Sequence, residues 1–98
     1  MATWEAPINP AHTTAAMTTT TGAALAANAA RRYALLVNDG AVDVYIKLGA
    51  AAVANQGIRI NANGGSYEIS PSTGNLYLGA INGITATGTA TLLVLEGV

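Results

Sequence analysis

The residues that could do chemistry in this 98-residue chain are few, and their spacing decides what they can be asked to do. The single histidine, His12, would need a serine nucleophile and an orienting carboxylate to form a hydrolytic triad. The serines are Ser66, Ser70 and Ser72, and none sits in a G-x-S-x-G elbow. A solvated or capping role suits this histidine better. Paired carboxylates for acid–base work would have to come from Glu5, Asp39, Asp43, Glu68 and Glu96. Asp39 fits a turn and Asp43 a solvated strand face, and no spacing among the acids matches a calcium loop. The glycine-rich run Asn61-Ala62-Asn63-Gly64-Gly65 lacks the Gly-Lys-Ser/Thr ending of a phosphate loop and precedes a strand, so it reads as a turn. These residues point to no catalytic centre, no metal site and no cofactor.

Binding chemistry is little richer. Arg31, Arg32, Lys47 and Arg59 could gather into a small basic spot, but five acids outweigh them and the net charge is −1. That balance argues against a nucleic-acid groove and against a broad attraction to anionic membranes. Tyr33, Tyr45, Tyr67 and Tyr77 all fall in expected strands; core or interface packing is their default, a sugar-binding platform the alternative. No Asn begins a glycosylation sequon, and there is no Cys to form a disulfide or a thiolate site. No apolar run reaches the ~20 residues that span a bilayer. The opening residues lack a basic region and a continuous apolar core, so the chain is expected to work without an export signal of its own.

Charge density is the unusual quantity. Only 9% of residues are Asp, Glu, Lys or Arg, against about 25% in ordinary soluble domains. Hydrophobic residues reach 51%, much of it Ala, with no Phe. Either the chain is a weakly charged monomer, or other subunits cover much of a neutral Ala/Thr/Gly surface. The composition favours assembly.

The elements that would position these residues are strands. One domain fits the length. Residues 1–12 read as an extended arm, because Pro7 and Pro10 fix their own φ and push the preceding residues out of the helical region. Trp4 and Ile8 are its large apolar side chains, so Trp4, Pro7, Ile8 and Pro10 are the candidate partner-binding residues. They either pack on their own domain or latch onto a neighbour. Four successive threonines, Thr18 to Thr21, argue against a helix, and a strand is expected over 13–20, then a turn near Gly22 and a loop.

The centre of the fold is read at Arg31 to Gly49, where two apolar runs flank Asn38-Asp39-Gly40 as a β-hairpin would. Val42, Val44, Ile46 and Leu48 alternate with Asp43, Tyr45 and Lys47, the mark of one buried face. The run over 33–38 is apolar on both sides, as suits a strand near the middle. Residues 50–57 form a loop or single turn. A second hairpin is expected from strands 57–62 and 66–70 about Asn63-Gly64-Gly65. Residues 75–81 should form a strand, Asn82-Gly83 a turn, 85–89 a Thr-rich edge or loop, and 90–96 a central or partner-facing strand. About seven short strands make an all-β antiparallel sandwich, jelly-roll-like or Ig-like, over residues 13–98; a small closed barrel is the alternative.

Five stretches carry a resemblance. They are Ala30 to Asn38, Val44 to Gly49, Gly57 to Ile60, Gly64 to Ile69, and Leu92 to Gly97 with its terminal Leu-Glu-Gly. Together, across about Thr18 to Val98, the chain resembles small β-sandwich virion structural proteins of tailed bacteriophages. The resemblance implies a non-enzymatic capsid decoration (cement) protein seated on the major capsid protein, often as a homotrimer. It would lie on the capsid exterior and be assembled in the host cytoplasm. A receptor- or carbohydrate-binding module on the tail, using exposed tyrosines and loop Asn, is the alternative. The arm at residues 1–12 lies outside the resemblance, so any latch role there rests on physics alone.

Overall fold

A strand with one apolar side is stable only when a second layer covers that side, and here two sheets cover each other. The computed structural model describes residues 8–98. Among them are eight strands and no helix: β1 (Pro10–Met17), β2 (Gly22–Leu25), β3 (Tyr33–Asn38), β4 (Val44–Leu48), β5 (Ile58–Ile60), β6 (Ser66–Ile69), β7 (Ile81–Thr85) and β8 (Ala90–Gly97). They form two antiparallel four-stranded sheets, ordered β1-β8-β3-β6 and β2-β7-β4-β5. Only β4 and β5 are neighbours both in sequence and in a sheet. Every other connection passes from one sheet to the other, which is the winding of a jelly roll.

The core lies between the layers. Leu36, Ile69, Leu92 and Val94 enter it from the first sheet, and Val44, Ile46, Ile60 and Ile81 from the second, none more than 2% exposed. Each such burial stabilises the fold by about 1.5–3 kcal/mol. The last strand, β8, is central, between β1 and β3.

The architecture is the expected sandwich, but two expected hairpins are corners. β3 and β4 never pair; they lie in different sheets. A two-residue hairpin turn of the favoured kind needs positive φ at its central residues, and neither Asp39 nor Gly40 has it. Asp39 N–H instead donates to Thr91 O (2.9 Å), continuing the first sheet. The fully buried Asn38 then ties the corner. Its Nδ2 donates to Val42 O (2.8 Å) and Ile60 O (3.0 Å), and its Oδ1 accepts Gly40 N–H (2.9 Å). Gly40 is required by proximity rather than by φ, since a Cβ there would lie 2.6 Å from the Ala90 Cβ.

The turn at 62–64 exists, with Asn63 and Gly64 at φ 62° and 106°, but it too joins the two sheets. Gly64 N–H donates to Asn38 O (2.7 Å) and Asn63 N–H to Gly40 O (2.9 Å), so it docks on the first corner.

Four further expectations differ. The loop expected after Gly22 is β2, which pairs with β7 through a bulge; Gly-Ala-Ala-Leu has too little side chain to display a period. The strand expected over 75–81 begins only at Ile81. Residues 75–80 belong to no strand and bend at Gly79, with Leu76 and Leu78 37% and 40% exposed. Asn82-Gly83, expected to turn, lies inside β7. There Gly83 leaves room for Met17, whose Sδ would be 2.4 Å from an added Cβ. Residues 10–12 of the expected arm are the start of β1, paired with residues 95–97.

Candidate functional site

Two of the strands in the first sheet, β3 and β8, turn an unusually apolar side outward. Register sets the pattern: His12 lies opposite Leu95, which lies opposite Leu35, which lies opposite Glu68. The next row reads Thr14, Leu93, Val37 and Ser66. Leu35, Val37, Leu93 and Leu95 therefore make one aliphatic strip, framed by His12 and Thr14 on one side and Ser66 and Glu68 on the other. The strip lines a shallow depression of about 570 Å³, and Leu93 is 41% exposed. At one end Tyr33 Oη donates to Glu68 Oε2 (2.7 Å). That bond, with burial and the carboxylate charge behind it, raises the Tyr33 phenol above 10.0. The strip can exclude water from an apolar partner.

The residues singled out for chemistry are dispersed. His12 and Glu68 stand three strand spacings apart, roughly 14 Å, and Ser66 is on the same distant strand. Among the described residues no cluster of three metal-ligating side chains occurs. Glu5 lies outside the described residues; among those described, each acid outside the turns has a structural partner: Asp43 Oδ1 accepts Ala62 N–H (2.8 Å), Glu68 holds Tyr33, and Glu96 holds Arg31. The tyrosines are also separated. Tyr33 faces out from the first sheet and Tyr67 in, Tyr45 faces out from the second, and Tyr77 lies in the 70–80 segment rather than in a strand.

Of the arm residues, Trp4 and Pro7 lie outside the described residues. Ile8 is half-buried against Gly97 of its own chain, and Pro10 is exposed at the start of β1.

The expected basic spot loses Arg31 to the interior, where the residue is 2% exposed. Its Nε donates to Glu96 Oε2 (2.7 Å), Nη1 to Tyr77 O (2.6 Å) and Gly79 O (3.1 Å), and Nη2 to Ala26 O (2.6 Å). A guanidinium alone offers this planar fork of donors. It ties together the β2–β3 loop, the long β6–β7 loop and the end of β8. Nothing in Arg31-Arg32 marks which arginine turns inward; the nearest hint is Glu96, a lone acid ending an apolar strand.

Among the described residues no helix is long and apolar enough to cross a membrane. No family profile, no curated protein and no solved structure matches the chain.

Proposed function

We propose that this chain is a structural protein of a bacteriophage virion, a capsid decoration protein that binds the major capsid protein and stabilises the assembled shell. The observation that carries the reading is the outward aliphatic strip of Leu35, Val37, Leu93 and Leu95 on a rigid sheet, in a chain with only 9% charged residues. An apolar strip with a polar frame is what a lattice-bound module needs in order to exclude water at a contact. The resemblance of the strand-and-turn stretches to small phage virion proteins is what points to a capsid as that lattice. Cementing then follows from mass action: a protein that binds the assembled shell and not its loose subunits stabilises the shell by RT ln(1 + [L]/Kd).

The test is the protein's abundance in purified particles, with the heat stability of particles that lack it. Hundreds of copies per particle and an earlier thermal disruption of depleted shells are expected. A handful of copies would overturn the decoration reading in favour of a tail module that binds a receptor or carbohydrate. Absence from particles would overturn both.

A further inference from the structure

Four strands edge the two sheets, and three are guarded against pairing. β5 is three residues long and carries Arg59, β2 is four residues with a bulge, and β6 is four residues with Glu68 at its centre. Short, bulged or charged edges discourage strand addition. β1 is none of these. It runs eight residues, Pro10–Met17, in unbroken register with β8, and contains no Asp, Glu, Lys or Arg.

The phase of its hydrogen bonds is fixed by a neighbouring pair. Asn9 and Val98 exchange both backbone bonds, Asn9 N–H to Val98 O (2.9 Å) and Val98 N–H to Asn9 O (3.3 Å). In an antiparallel ladder such pairs alternate with non-bonded ones, so residues 11, 13, 15 and 17 bond to β8. Asp39 N–H to Thr91 O, across the other side of β8, falls in the complementary phase. His12, Thr14 and Ala16 therefore point their N–H and C=O groups away from β8, and among the described residues nothing accepts or donates there. Pro10, which has no N–H, falls in this same outward set, so it costs the ladder nothing.

We propose that β1 is a pairing edge for β1 of a second copy of this chain, antiparallel, with a two-fold axis through Thr14. In that register Thr14 meets itself and His12 meets the second copy's Ala16, so every outward N–H from 12 to 16 has a carbonyl opposite it. No charge is brought against its like. The side chains of His12, Thr14 and Ala16 lie on the outer side with Leu93 and Leu95, so the two aliphatic strips become one surface across the axis. The contact is two-fold, unlike the trimer implied by the phage resemblance, and it does not depend on the capsid reading.

The measurement is the mass in solution of the full chain by light scattering at tens of micromolar. The expected mass is twice 9.8 kDa. Thr14→Pro removes an N–H that β8 does not use, so it should return the mass to that of one chain while far-UV circular dichroism stays unchanged. Ala15→Pro, which removes an N–H that β8 does use, should instead damage the fold. In this cysteine-free chain, Thr14→Cys should cross-link to itself with a short bis-maleimide, whereas Thr91→Cys, on β8 one strand in from the edge, should not. A monomeric wild type, a trimer, or a dimer that survives Thr14→Pro overturns the proposal. If Thr14→Pro fails to fold, absence of the Thr14→Cys cross-link overturns it.

Discussion

Arg31 is the side chain that ties the β2–β3 and β6–β7 loops to the end of β8. Burying a guanidinium is costly unless its donors are matched, and four acceptors from three separate segments match them here. Arg31→Met should therefore destabilise the fold by about 3 kcal/mol, the lower end for breaking a buried pair, because Glu96 keeps 18% exposure. Urea denaturation reads the loss. Arg31→Lys should recover little of it, since a single ammonium cannot reach all three segments. Tyr33 gives a prediction in pH. Its phenol is raised in the folded chain, chiefly by donating to Glu68, so the folded state holds this proton above pH 10.0 where the unfolded state releases it. The contribution is complete below that pH and is lost as pH rises through the folded value. Alkaline spectrophotometric titration should show the Tyr33 phenol ionising late, and Glu68→Gln should move it back toward the ordinary range.

At the scale of elements, the corner at 38–40 decides the topology. Removing the Asn38 amide by Asn38→Ala would leave Val42 O, Ile60 O and Gly40 N–H without partners in a buried setting, a loss of about 2–4 kcal/mol. Gly40→Ala presses a methyl onto Ala90 and should cost about 1–3 kcal/mol, read as a fall in melting temperature that Ala90→Gly partly restores. This corner also shows what the sequence could and could not display. The alternation in 33–37, 44–48 and 90–96 is written in side chains, because one buried face requires it, and those strands were legible. Which strand each pairs with is written in backbone contacts between distant segments. Asn38-Asp39-Gly40 has hairpin composition, yet Asn38 is spent on carbonyls from two other segments and Gly40 on clearance from β8. Likewise Gly83 resembles a turn residue because the reason for it, Met17, is 66 positions away. The aliphatic strip was half legible: the apolar outer side of 33–37 was visible, but its continuation into Leu93 and Leu95 requires the β3–β8 register.

At the scale of the whole molecule, the outer side of the first sheet and the segment before β1 make separable demands. Leu93 contributes to the strip but not to the core, being exposed while Leu92 and Val94 are buried. Leu93→Lys should thus leave the unfolding midpoint within about 0.5 kcal/mol of the parent while placing an ammonium where a partner would have to desolvate it. Incorporation into particles should fall at least tenfold, corresponding to about 1.4 kcal/mol of contact energy. The matched control is Lys47→Ala, on an outward position of the second sheet, which should leave incorporation unchanged. Deleting residues 1–7 asks a different question, because it keeps all of β1 and the Ile8–Gly97 contact. If Trp4 latches onto a neighbour, the truncated chain folds normally and incorporates weakly. If Trp4 packs on its own domain, the melting temperature falls instead. Circular dichroism and particle incorporation measured on the same two variants separate contact through the sheet from contact through the arm.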